Sequence, residues 1–277
     1  MFHLKLEFPL NTTLNYNPFV MQINALIKSF SFAWAIFLTF GLVQAYGQNQ
    51  KLKGKKLLIY TKNGNGYVHD NIDTSVTTLQ KICAELGVAT TVSEDPNIFL
   101  SSEMYSFDAV FFSNTNNEAF DTEEQRSAFQ SFCSSGKGFG GLHSAIGSER
   151  KWPWFWKLIG GSFLRHPPFQ TFTIKVNRKE HPSTKHLPPS FNSEDECYFI
   201  KNSNPSFKIL LEADLSTVSE NKTDKNPFRP KRAPLSWYNT LEGGKQWYTA
   251  LGHSKELYAL PWFQKHLKGG IVSILSD

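Results

Sequence analysis

Apolar and polar positions along this chain follow two rhythms. Lys55–Lys62, KKLLIYTK, is apolar throughout its centre, the pattern of a strand buried on both faces. Ile72, Val76, Leu79, Cys83 and Leu86 then recur at helical spacing, and Gly87 follows as a C-cap. VATTVS (88–93) and FDAVFFSN (107–114) predict two further strands. Thr122 and Gln125 have capping-box spacing ahead of a helix carrying Phe129, Phe132 and Cys133, and Gly136 ends it. GFGGLHS (138–144) predicts a fourth strand. Strands and helices in this order, with nearly continuous apolar strands, predict an α/β fold with a parallel sheet and helices on both faces.

The second half reads differently. WPWFWKLIGG (152–161) predicts a short aromatic helix, and FQTFTIKV (169–176) alternates like a half-exposed strand. CYFIKN, FKILLEAD, PLSWYNT and KQWYTALGH continue a strand-rich pattern, and a last helix contains LPWFQKHL (260–267). Residues 216–234 are polar and proline-punctuated, which predicts a surface loop. There is no internal repeat. The pattern predicts one domain over 52–277, with a β-rich elaboration in its second half.

The N-terminus belongs to another class of segment. Lys28 precedes an apolar run at 30–43, and Val43 and Ala45 supply small residues at a cleavage site. The run is shorter than the roughly 20 residues that cross a bilayer. Residues 1–48 therefore predict upstream residues and a signal peptide, with Met21 the better start. A periplasmic or secreted protein with no stable membrane span after cleavage is expected. Three cysteines, Cys83, Cys133 and Cys197, are too few and too odd in number for a disulfide framework. Net charge is +5, and the densest basic cluster, RPKR (229–232), lies in the proline-rich loop. Nucleic-acid binding needs basic residues gathered on one face, so no nucleic-acid partner is expected.

In an open parallel sheet, ligands bind beyond the carboxyl ends of the strands. After the first strand come Tyr67, His69 and Asp70; after the third, Asn114, Asn116, Asn117 and Glu118; after the fourth, His143 and Ser144; after QWYTAL, Gly252 and His253. Each strand delivers polar or titratable groups at one end, which predicts a pocket there. The glycines of the fourth strand, Gly138, Gly140 and Gly141, are expected to allow close packing and approach to a ligand. His166 follows two glycines and Arg165, and Asp195 and Glu196 are adjacent acids before an aromatic strand. One acid turned inward would serve as general acid, general base or metal ligand.

GFGGLHSA, GGSFLRHPPFQ, EDECY and QWYTALGHS together, with GYVHD after the first strand and PLSWY before the last, resemble the ThuA-like family, named for trehalose utilisation. The resemblance runs from about Lys55 to the C-terminus. It implies a flavodoxin-like sheet similar to class I glutamine amidotransferases. In those enzymes the fourth-strand elbow carries a nucleophilic cysteine within Gly-x-Cys-x-Gly. Here the matching stretch is Gly141, Leu142, His143, Ser144 and Ala145, so glutaminase chemistry is not expected.

The resemblance also implies a role in carbohydrate metabolism, on disaccharides, glycosides or their 3-keto derivatives. His143, Glu196 and His253 are the expected acid/base residues or metal ligands. His69, Asp70, Asn114, Asn116, Ser144, His166 and Asp195 are the expected substrate-binding residues. Imidazoles and carboxylate with an open position also suit a divalent metal, and the dispersed spacing leaves both roles open. Trp152, Trp154, Trp156, Trp237 and Trp247 are candidates to stack on pyranose faces. The expected partner is a small carbohydrate, turned over by a hydrolase, lyase or isomerase. The alternative is a non-catalytic carbohydrate-binding or accessory protein on the same fold.

Overall fold

The computed structural model describes residues 52–220 and 228–276. The predicted signal peptide lies outside the described residues. Nine strands form one sheet in the order β2-β1-β3-β4-β11-β10-β9-β6-β7. Five of them, β1 (Lys56–Tyr60), β2 (Ala89–Ser93), β3 (Ala109–Ser113), β4 (Gly138–Leu142) and β11 (Gly244–Thr249), are mutually parallel. Their order is that of the flavodoxin-like folds. The other four are antiparallel: β6 (Gln170–Val176), β7 (Ser190–Asp195), β9 (Lys208–Ala213) and β10 (Ala233–Leu241). β5 (Ser162–Arg165) and β8 (Phe199–Lys201) pair separately.

The unbroken apolar runs follow from burial on both faces. On β1, Leu57 and Ile59 enter one core while Leu58 and Tyr60 enter the other. Helices α1 (Ile72–Leu86) and α4 (Pro261–Leu275) cover the first face through Leu79, Ile82, Phe263 and Leu267. Helices α2 (Glu123–Ser134) and α3 (Pro153–Ile159) cover the second through Phe129, Phe132, Phe155 and Leu158. The predicted capping box is present: Thr122 accepts from the Gln125 N–H while Gln125 reaches back to the Thr122 N–H. Among the described residues no helix is long and apolar enough to cross a membrane.

Two expectations change. β7 was hidden because two of its three inward residues, Ser193 and Asp195, are polar and only Phe191 is apolar, so it shows no apolar alternation. The β4 glycines serve packing and not ligand approach. A Cβ on Gly138 would overlap the Ile274 carbonyl of α4, and one on Gly140 would overlap the Phe111 ring. Cys83, Cys133 and Cys197 are buried free thiols.

Candidate functional site

The chain turns sharply where β4 ends. Leu142 is extended, and His143 sits at φ +49° at the start of a 3₁₀ turn, His143–Gly147. A non-glycine residue in this region is uncommon and stays there only when its surroundings hold it. Three contacts hold His143. Its Nδ1 lies 2.7 Å from the Ala250 carbonyl, its own carbonyl accepts from Tyr248 Oη at 2.6 Å, and its ring lies 4.7 Å from the Tyr198 ring, centre to centre. A carbonyl only accepts, so Nδ1 carries the proton and Nε2 presents a lone pair. Tyr198 Oη donates to that Nε2 at 2.9 Å. Burial holds the Tyr198 phenol well above its ordinary range, so it remains a donor.

Two other elements aim at the same atom, and a third joins them through Glu196. His69, on the loop after β1, places its Nε2 3.1 Å from His143 Nε2. Glu196, just past β7, places Oε2 3.6 Å from His143 Nε2 and 3.2 Å from His253 Nδ1. The Glu196–His253 contact is an ion pair when His253 is protonated. Glu196 Oε1 stands 3.4 Å from His166 Nε2. One ligand atom each from His69, His143, Glu196 and His253 lies within 4.8 Å of every other.

Asp195 supports this arrangement from behind. It is fully buried, and its carboxylate accepts the backbone N–H groups of Gly252 (2.8 Å), His253 (3.3 Å) and Glu196 (2.8 Å). It thus clamps the end of β7 to the loop after β11. Gly252 is at φ +126°, where a side chain would also crowd Tyr258 Oη. Asn71 ties the loop after β1 to the same place, donating to the carbonyls of Gly252 (2.6 Å) and His253 (2.7 Å).

The electrostatics divide the cluster. Burial, with neighbouring imidazoles, drives His143 well below the usual histidine range and His69 down to about 4. Both are neutral at neutral pH. His253 moves up, because the Glu196 carboxylate beside it outweighs partial burial. Burial pushes Glu196 up, but His253, His166 and His69 around it prevail and its carboxyl is lowered. Burial raises Asp195 to about 7 against the pull of its three N–H donors. Neutral His69 and His143 beside an ionised Glu196 are in the protonation states that bind a cation, and His253 would give up its proton on binding one. The donor set fits a borderline divalent ion such as zinc, with the His143 tautomer fixed by its outer hydrogen bond.

His69, Glu196 and His253 form one wall of a cavity of about 420 Å3, with His143 fully buried behind them; the lining also includes Ser144, Arg150, Phe163, His166 and Tyr198. His69, Asn116, Ser144, His143, His166, Glu196 and His253 therefore come together at the predicted end of the sheet. Asp70, Asn114 and Asp195 do not line the cavity. Asp70 is exposed and pairs with Lys255 at 2.8 Å. Asn114 is buried beneath the site, donating to Tyr258 Oη at 3.3 Å. Asp195 acts through the backbone it holds.

The tryptophans also lie elsewhere. Trp237 and Trp247 are core residues, and Trp152, Trp154 and Trp156 pack against the core, because their rings fill the layers between sheet and helices. The aromatic lining is Tyr67, Phe163 and Tyr198. Tyr198, Phe163 and Arg150 were missed from sequence. Only Tyr198 carried a signal, its position two residues beyond Glu196.

A flavodoxin-like sheet with a left-handed elbow at the end of its fourth strand defines a class I glutamine amidotransferase-like fold, here with histidine in place of the nucleophile. The family described as ThuA, trehalose utilisation, matches residues 56–272, and the chain belongs to that family. A ThuA-like protein from Bacteroides uniformis ATCC 8492 is similar in structure, with TM-score 0.67 and 24% identity over 80% of this chain and 91% of that one. Another, from Parabacteroides merdae ATCC 43184, has TM-score 0.62 and 19% identity over 80% and 90%. No curated protein matches the sequence. Membership in this family points to a carbohydrate-related role.

Proposed function

We propose that this protein is an exported carbohydrate-processing enzyme acting on a disaccharide, glycoside or 3-keto-sugar by metal-assisted acid–base chemistry. The observation that carries the reading is the convergence of His69, His143, Glu196 and His253 on one point, with His69, Glu196 and His253 lining one cavity and His143 buried behind them. Export rests on the basic, apolar and small-residue pattern of residues 28–45.

His69, His143, His253 and Glu196 Oε2 would hold a divalent cation. Such an ion, when bound, supplies a Lewis acid for a sugar carbonyl or hydroxyl oxygen. The chain supplies the rest. Tyr198 keeps a hydroxyl donor beside the cluster. His166 lies outside the four ligands, with Nε2 beside the second Glu196 oxygen and Nδ1 2.8 Å from the Pro167 carbonyl. It is placed to move a proton at Nε2 on the cavity side. Phe163 and Tyr67 offer apolar faces to a ring. Beside a 3-keto group this set suits enolisation, which needs a base for the α-proton and an electrophile at the oxygen.

The test is turnover of 3-keto-disaccharides by the mature protein, stripped of metal and then reloaded with zinc or manganese. The expected result is product from the reloaded protein and none from His143→Ala. Calorimetric binding of the sugar without product under any metal would instead identify a non-catalytic carbohydrate-binding protein.

A further inference from the structure

Arg150 lines the same cavity, yet the metal-ligand cluster does not use it. Its Nε donates to the Gly147 carbonyl at 3.0 Å, and Nη2 lies 3.4 Å from Asn116 Oδ1. Among the described residues Nη1 has no partner, and no carboxylate stands within ion-pair distance of the guanidinium. Its Cζ lies 5.6 Å from the centre of the Phe163 ring.

This position is built. Glu149, the preceding residue, is at φ +49° and almost fully buried. Its carboxylate accepts the N–H groups of Ala119 (2.9 Å) and Phe120 (3.1 Å) and pairs with Arg126 at 2.8 Å. Its N–H donates to the Asn117 carbonyl at 2.7 Å, and its carbonyl accepts from Trp156 Nε1 at 3.1 Å. Ser148, fully buried, meets Thr115 Oγ1 at 2.8 Å. A left-handed residue tied at both ends fixes the direction in which Arg150 leaves the backbone. Gly147 keeps the space open, since a Cβ there would come within 3.5 Å of Arg150 Nη2 and 2.6 Å of Asn116 Oδ1. Ser144, also lining the cavity, is 3% exposed, and its hydroxyl has no hydrogen-bond partner among the described residues.

We propose that Arg150 and Ser144 form a subsite for an anionic oxygen group on the substrate, so that the preferred sugar carries a carboxylate or a phosphate ester. The inference rests on the carbohydrate reading of the cavity and narrows it. The Nη1 group and the remaining Nη2 hydrogen can still donate to such a group as charge-assisted N–H bonds, which a neutral hydroxyl cannot match. A buried hydroxyl without a partner is a standing cost that a bound oxygen removes.

The experiment is calorimetric titration of the mature protein with D-glucose, D-glucuronate and D-glucose 6-phosphate, metal-free and zinc-loaded. Wild type, Arg150→Gln, Arg150→Lys and Ser144→Ala are compared, with thermal melts confirming the fold. At least one acid is expected to bind the metal-free wild type about 10-fold or more tighter than glucose, the range of charge-assisted hydrogen bonds. That preference is expected to vanish in Arg150→Gln, persist in part in Arg150→Lys and weaken in Ser144→Ala. The more strongly preferred acid identifies the group.

Binding of none of the three, equal binding of all three, or a preference unchanged in Arg150→Gln overturns the proposal. So does a preference seen only with zinc. Turnover separates the two readings. Arg150-dependent binding of an acid with no keto-sugar turnover keeps the subsite and removes the catalytic reading. Turnover of neutral keto-sugars at equal rates in wild type and Arg150→Gln, with acids bound no better than glucose, does the reverse.

Discussion

His69 and His143 meet Nε2 to Nε2 at 3.1 Å from positions 74 residues apart in the chain. Both rings are held neutral, chiefly by burial, and the His143 lone pair already accepts from Tyr198. A second imidazole aimed at that lone pair gains little in a purely structural role. A cation between the rings and the Glu196 carboxylate would take the His143 lone pair in place of the Tyr198 hydroxyl, together with that of His69. Metal-stripped protein is therefore expected to take up zinc at a single site. At 100 times Kd, binding stabilises the fold by about 2.7 kcal/mol, which raises the melting temperature by roughly 5–10 °C. His69→Ala and His143→Ala should each lose that rise, as read by calorimetry and thermal melts.

Asp195 touches no part of the cavity, yet it sets the distance between Glu196 and His253 through three backbone N–H groups. Asp195→Asn keeps one acceptor oxygen and turns an NH2 group toward donors. Outer partners of metal ligands typically contribute about 10–100-fold in metal affinity or activity, and a loss in that range is expected for zinc binding. A fold that melts normally but binds zinc as wild type does would assign Asp195 a structural role alone.

Stability should fall in acid for a definite reason. Burial holds His143 well below 6.5, His266 down to about 3, and His181 and His69 at about 4. In the unfolded chain these groups titrate near 6.5. Below that pH the unfolded state binds protons that the folded state refuses, so stability declines as pH drops toward 4. Asp195 and His253 act in the opposite sense, since their folded values are raised. With His186, also lowered by burial, five histidines oppose these two. Metal-free protein should melt at a lower temperature at pH 5 than at pH 7, by differential scanning calorimetry. His266→Gln should shrink the difference.

Glycines in the core give a separate test. Gly270 of α4 faces the Trp247 ring, where an added Cβ would sit 2.5 Å from Cδ2, and Gly140 faces Phe111 just as closely. Overpacking of this kind costs about 1–3 kcal/mol, so Gly140→Ala and Gly270→Ala should each lower the urea midpoint. Zinc binding by the surviving folded fraction should be intact.

The parallel half of the fold was legible because a strand buried on both faces must be apolar throughout, as Leu57–Tyr60 and Val110–Phe112 are. The strand-end rule placed His69, His143 and His253 together for the same reason: parallel strands end on one side. Glu196 was legible only as one of two adjacent acids. Which of them faces the site depends on β7, whose inward Ser193 and Asp195 carry no apolar signal. The tryptophans misled because an aromatic that fills a layer and one that lines a cavity look alike in sequence. Arg150 was invisible because a buried carboxylate and a left-handed turn at Glu149 direct it, and neither has a local pattern.

The central claim is that His69, His143, Glu196 and His253 surround one cation. Anomalous scattering from crystals soaked in a manganese or zinc salt tests it most directly. The account predicts one strong peak within coordinating distance of all four side chains. A cluster that stays empty while the ion binds elsewhere, or nowhere, would contradict it.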